Sequence, residues 1–191
     1  MNRLCWLVVL LAVLRTASVS LAADLYHGRV VDQETGEPLA GAVVTVVWFR
    51  SPILGLEGTR DFQSAQETVA DGDGKFSLVV SPGIDWNPLT YIRKEPEIVI
   101  FQPGYEPTWA GWMRRNKFET SLEFAEALKK GTTIQLRKLK TREELVKFTD
   151  VVFLTHPTVR YENIPRLIDA VNVQNKMVGL QPYPAKGGKL P

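Results

Sequence analysis

The chain has 191 residues but only one cysteine and two histidines. Cys5 lies inside the apolar run Leu4 to Leu14 (LCWLVVLLAVL), whose eleven residues are too few to cross a bilayer as a helix. Met1-Asn2-Arg3 puts a positive charge before the run, and Ser20-Leu21-Ala22 supplies a small-x-small cleavage pattern after it. Residues 1–22 therefore read as a secretory signal cut after about Ala22, with an uncleaved anchor as the alternative. A lipoprotein cysteine would stand just after the apolar run, whereas Cys5 stands at its beginning. Loss of residues 1–22 removes the lone thiol, which excludes disulfides and thiol chemistry even though an exported location would permit both. Arg3 and Arg15 leave as well, bringing 23 basic residues down to match the 21 acidic ones. A neutral chain gives no reason to expect nucleic acid as a partner.

Motifs of catalysis are also missing. No G-x-S-x-G elbow offers a serine nucleophile, and no glycine-rich loop is spaced for phosphate. There is no internal repeat. His27 falls in a predicted strand and His156 precedes Pro157, so each reads as a surface or capping residue rather than a ligand. Two carboxylate pairs, Glu143-Glu144 and Glu95/Glu97, have the residue types for acid–base work, and a hydrolase using loop carboxylates is the competing reading. Helix capping and the helix dipole account better for Glu143 and Glu144, and Glu95 and Glu97 flank Pro96 at a strand entrance.

What is present is strand-forming sequence cut by turns. LYHGRVVD (25–32) alternates, and QETGEP (33–38) is dense in turn formers. AGAVVTVVWF (40–49) is nearly continuous in β formers and predicts a strand buried on both faces. QSAQETVA (63–70) and KFSLVVS (75–81) flank a DGDG turn, with Phe76, Leu78 and Val80 on one face. EIVIFQ (97–102) and TTIQLRKL (132–139) complete the set, and such spacing favours a β-sandwich. The stretches 51–62, 82–96 and 103–117 read as long connections.

The C-terminal quarter is helical in pattern. Thr141-Arg-Glu-Glu144 has the spacing of a capping box, followed by Leu145, Phe148, Val151 and Val152 on one side. A second helix is expected from near Asn163, with Pro165 in its first turn, Ile164, Leu167, Ile168 and Val171 as its apolar stripe, and Gly179 as its stop. Both helices are expected to dock on the sandwich. Residues 181–191 (QPYPAKGGKLP) read as a disordered or loosely laid tail.

The DGDG stretch poses a choice between calcium and a turn. An EF-hand-like loop needs acidic or amide ligands at alternate positions and a distant glutamate. Here Lys75 takes the third ligand position and Pro82 the place of the glutamate, so Asp71-Gly-Asp-Gly74 is read as a tight hairpin turn, with no metal and no cofactor expected.

One segment carries a specific resemblance. GRVVDQETGEPLAGAVV (28–44) is similar to the opening of carboxypeptidase regulatory-like domains, G-x-V-x-D-x-x-T-G-x-P-L-x-G-A-x-V. Gly28, Val30, Asp32, Thr35, Gly36, Pro38, Leu39, Gly41, Ala42 and Val44 fall on that pattern. Asp71, Gly74 and Phe76 resemble the family's T-D-x-x-G-x-[FY] turn, with Ala70 in place of the usual Thr, and Pro103-Gly104-Tyr105 resembles its late G-Y element. The resemblance covers roughly residues 25–138. It implies a mainly β chain: a transthyretin-like (prealbumin-like) β-sandwich of about seven strands, with two C-terminal α-helices docked on it. The organisation implied is a signal at 1–22, a sandwich at 23–138, a helical extension at 139–180 and a flexible tail at 181–191. Modules of this family accompany zinc carboxypeptidases and outer-membrane receptors, and are themselves generally non-catalytic. The H-x-x-E zinc pair of those peptidases is absent here, since neither histidine has Glu three residues on. Two enzyme families with a similar sandwich also fail on residues: the hydroxyisourate hydrolases for want of a Y-R-G-S-type motif, and the intradiol dioxygenases for want of H-x-H.

Binding is therefore sought in the long loops. Trp86 and Tyr91 lie in one, and Tyr105, Trp109, Trp112, Arg114 and Arg115 in another, followed by Lys117. Aromatic faces beside donors suit sugar rings or an extended peptide. The same aromatics can instead fold back over the open end of a sandwich, with Arg115 pairing Glu119 or Glu123. The sequence thus predicts an exported, non-enzymatic interaction module binding protein or glycan at the periplasm or cell surface.

Overall fold

The computed structural model describes residues 23–53, 60–81, 83, 91–93, 95–108, 110–149 and 159–184. The expected signal at 1–22, Trp86, Trp109, His156, Val151, Val152 and residues 185–191 lie outside the described residues.

The chain is mainly β, with two sheets and four helices among the described residues. The first sheet has the order β4 (Lys75–Val80), β1 (Asp24–Asp32), β7 (Thr132–Leu136). Strand β1 runs antiparallel to β4, with Tyr26 opposite Leu78, and parallel to β7, with Val30 beside Ile134. The second sheet is built on β2 (Val43–Pro52), which pairs along one edge with β3 (Asp61–Val69). Its other edge pairs with β6 (Glu97–Phe101) and, at the far end, with the short β5 (Tyr91–Arg93). Strand β5 lies in a stretch that the sequence reading left as connection.

Side-chain alternation builds two cores from these strands. Tyr26 and Val30 of β1, Phe76 and Val80 of β4, and Ile134 and Leu136 of β7 meet Val44, Val46 and Trp48 of β2 and Ile98 and Ile100 of β6. The opposite faces of β2 and β6 present Val43, Val47, Phe49, Val99 and Phe101 to a second core. Strand β2 is consequently buried on both faces over Val43–Phe49, as its unbroken β-branched and aromatic run predicts.

Helices α1 (Ala110–Arg115) and α2 (Ser121–Lys130) connect β6 to β7. Thr120 caps α2 by accepting from the Glu123 N–H at 3.2 Å, and Glu123 reaches back to the Glu119 N–H at 2.8 Å. Phe124, Ala125 and Leu128 then fall on one face and enter the first core. Helix α3 (Arg142–Lys147) starts at Thr141 with the expected capping box to Glu144. A 3₁₀ turn at Tyr161–Asn163 leads into α4 (Pro165–Val178), with proline in the first turn and Gly179 closing the helix at φ 75°. Ile164, Leu167, Ile168 and Val171 pack against the outward face of the second sheet. The C-terminal extension thus has a β surface waiting for it.

Two expectations need correction. The DGDG segment is a turn, but not a hairpin: it carries the chain from β3 in the second sheet to β4 in the first. Ala70 exchanges bonds with Gly41 and Ala42 before the turn, and the Val30 N–H reaches the Gly74 carbonyl at 2.8 Å after it, so the two strands are claimed by different partners. The tail is not loose at its start, because Asn172 bonds both the N–H and the carbonyl of Tyr183, at 2.7 and 3.0 Å. The Tyr183 ring also lies 5.5 Å from that of Tyr161.

Candidate functional site

The motif residues of segment 28–44 gather at the end of β1. Asp32 is 6% exposed, and its Oδ1 accepts from the backbone N–H groups of Glu34 (2.7 Å) and Thr35 (3.1 Å). Its Oδ2 accepts from the hydroxyl of Tyr105 at 3.0 Å. The Asp32 main chain closes the same turn, donating to the Glu37 carbonyl and accepting from Gly36, which sits at φ 72°. Burial works against the Asp32 charge, but the Thr35 and Glu34 N–H groups and the Tyr105 hydroxyl outweigh it and hold the pKa below the usual carboxylate value. Burial and then the Asp32 hydrogen bond push Tyr105 up to about 12. Tyr105, a candidate ligand residue in the sequence, is a strut between the turn and the first core.

The other candidates separate. Trp112 is 4% exposed, its indole N–H donates to the Gln135 carbonyl at 2.8 Å, and its ring contacts Phe118 and Phe124. It is core, which corrects the ligand-platform reading for that residue: α1 turns the indole inward, where Phe124 of α2 completes the cluster. Arg114 is exposed on α1. Arg115 pairs with neither Glu119 nor Glu123 but with the buried Glu106, which also pairs with Arg137 at 3.0 Å. Arg137 continues to Glu144 at 2.7 Å, so one ionic chain ties α1 and β7 to the cap of α3. The backbone of Tyr91 pairs with Pro52 in the second sheet. Arg114, exposed on α1, is not gathered with the buried Trp112 into one face.

Of the carboxylates weighed for acid–base chemistry, Glu144 and Glu97 are engaged in the scaffold. Glu144 accepts from the Lys140 N–H as well as from Arg137, and its pKa is lowered by those bonds. Glu97 pairs with Arg60. In the DGDG turn, Asp71 Oδ1 accepts from the N–H groups of Asp73 (3.0 Å) and Lys75 (2.8 Å), and Gly74 sits at φ 73°. A Cβ on Gly74 would lie 2.4 Å from the Val30 carbonyl oxygen, so both conformation and close approach require glycine there. Among the described residues no group of three or more His, Cys, Asp or Glu side chains could hold a metal ion.

One polar carboxylate escaped the sequence reading. Glu67 on β3 accepts from the Thr45 hydroxyl and from the N–H groups of Arg166 and Leu167, each at 2.9 Å. It caps the first turn of α4 from another element, with burial raising its pKa against those bonds. Its separation of about a hundred residues from that helix hides it from local patterns.

The outer face of the first sheet remains open. A depression of about 360 Å³ is lined by His27, Arg29, Lys75, Phe76, Thr132 and Thr133. Arg29 and Lys75 stand directly opposite each other on β1 and β4, and Asp73 steadies both, its carbonyl on Arg29 Nε at 2.8 Å and its carboxylate 3.4 Å from Lys75 Nζ. The His27 ring lies over Gly131, where a Cβ would come within 2.6 Å of Nε2. The depression offers ammonium, guanidinium and hydroxyl donors to a ligand rich in oxygen.

No protein-family model matches the chain, and no curated protein matches it. Among solved structures, it is similar to the crystal structure of a 9R-lipoxygenase from Cyanothece PCC8801, at 14% identity and a TM-score of 0.32. That alignment covers 95% of this chain and 30% of the lipoxygenase, and a likeness of this level carries no argument about fold or activity. No helix among the described residues is long and apolar enough to cross a membrane.

Proposed function

We propose that this protein is an exported, non-catalytic interaction module of the carboxypeptidase regulatory-like kind, a transthyretin-like sandwich with a helical extension. Its partner is an oxygen-rich ligand, a glycan or an acidic protein surface, at the cell envelope. The observation that carries the reading is the Asp32–Tyr105 bond, which joins the N-terminal motif to the late G-Y element across the fold. It makes the motif a brace rather than a reactive centre. Glu144 and Glu97, two of the carboxylates considered for acid–base work, are likewise held in a cap and an ion pair. Among the described residues, the surface that suits recognition is the outer face of the first sheet, with Arg29, Lys75 and Thr133, together with the exposed Arg114.

A glycan array and calorimetry with acidic oligosaccharides test this. Saturable binding that falls at least tenfold in the Arg29→Glu and Lys75→Glu variants, with unchanged thermal midpoints, supports it. Turnover of ester, peptide or glycoside substrates by the purified protein, or binding indifferent to both variants, overturns it.

A further inference from the structure

Helix α4 has a second face that the other described residues leave largely exposed. Leu167, Ile168, Val171 and Val178 point into the protein, while Val173 (53% exposed) and, just past the helix, Leu180 (40%) point away from it, and Met177 (57%) lies at the edge of the face with its Cε beside Gly104. Gly179 turns the chain so that the Leu180 N–H reaches back to the Asn175 carbonyl at 2.8 Å, and Leu180 and Pro182 return alongside the helix. They bound a depression of about 510 Å³ lined also by Asp169, Val173 and Lys176.

Charge on this face is arranged with a direction. Asp169 and Lys176 are both exposed and lie two helical turns apart, on the same side as Val173 and flanking it. That spacing is too long for them to pair with each other in one chain. Neither has an ion-pair partner among the described residues.

We propose that this face is a dimer interface, occupied by α4 of a second copy of this chain running antiparallel. Reversing the helix about an axis beside Val173 exchanges position 169 with position 176. Asp169 then faces the partner's Lys176, Lys176 faces the partner's Asp169, Val173 lies beside the axis next to the partner's Asn172, and Met177 and Leu180 lie toward the two ends of the contact. A surface that is its own complement under a twofold is what an isologous contact requires. An unrelated partner would gain nothing from that symmetry. The helix has 14 residues and is about 21 Å long. An interface of that size is small, so the association is weak and concentration-dependent.

Sedimentation velocity on the purified protein, over a concentration series at low salt, tests the proposal. The wild type is expected to pass from monomer to dimer. Asp169→Lys and Lys176→Asp each place like charges at both contacts and are expected to weaken dimerisation about tenfold or more. An equimolar mixture of the two variants restores both attractive contacts and is expected to dimerise like wild type, as is the double variant D169K/K176D. A wild type that stays monomeric throughout, single variants that dimerise unchanged, or a mixture that fails to recover would each overturn it. Thermal midpoints of the single variants within a few degrees of wild type show that the loss is of association and not of folding.

Discussion

Asp32 and Tyr105 share a bond that contributes to the pH dependence of stability in opposite pH ranges. Asp32 has a folded pKa below its ordinary value, so its contribution to stability is present at neutral pH and is lost as pH falls through that lowered value. Tyr105 is raised, to about 12, so its contribution is complete below the ordinary tyrosine value and is lost as pH climbs through about 12. Tyr105→Phe is expected to cost about 1–2 kcal/mol in urea unfolding at neutral pH, since it leaves Oδ2 of a buried carboxylate short of a donor. The same change should delete the highest step in an ultraviolet titration of the tyrosines. Asp32→Asn should flatten the acid limb of stability and bring the Tyr105 step down. The turn itself was legible in QETGEP (33–38), but the bonds from its Glu34 and Thr35 N–H groups to Asp32 were not read from the sequence. Nor was the role of Tyr105, because its partner is 73 residues away and a loop tyrosine looks the same as a ligand platform or a strut.

At the level of elements, local chemistry was read well and destinations less so. The capping box at Thr141, Pro165 at a helix start and Gly179 at its stop act within one turn of where they stand, and each is found in place. Helix α2 was missed although its signals were present: Thr120 and Glu123 in capping spacing, then Phe124, Ala125 and Leu128 on one face. The DGDG turn shows the limit from the other side, since the aspartate and glycine chemistry that serves a hairpin serves equally a passage between sheets. Docking of α4 depends on an element that no helix pattern contains. Glu67→Ala is expected to destabilise the protein by about 1–3 kcal/mol, leaving the Arg166 and Leu167 N–H groups without their acceptor. Hydrogen exchange should show those two amides losing protection before the rest of α4. Glu67→Gln keeps one acceptor without the charge and should cost less.

The whole molecule turns on β2, which belongs to both cores. Neither core can be emptied without exposing one side of that strand, so the two are expected to unfold together. Ile168→Ala in the second core should cost about 2–5 kcal/mol, a large share of the roughly 5–15 kcal/mol that holds a domain of this kind. Tryptophan fluorescence, to which Trp48 and Trp112 of the first core contribute alongside Trp86 and Trp109, should shift to the same lower midpoint as far-ultraviolet circular dichroism. Two separated transitions would show the cores to be independent. The unbroken run Val43–Phe49 made the double burial of β2 readable from residues alone, whereas which element covered each side was a matter of topology.

That topology governs how the protein can be made. The first sheet waits for β7 before β1 has both neighbours, and the second sheet waits for α4, which follows all the described strands in chain order. Until then the growing polypeptide carries Val43, Val47, Phe49, Val99 and Phe101 as an uncovered sticky strip. A nascent chain stalled before residue 165 is expected to need a holding chaperone, and the arrival of α4 over the strip is expected to end that need.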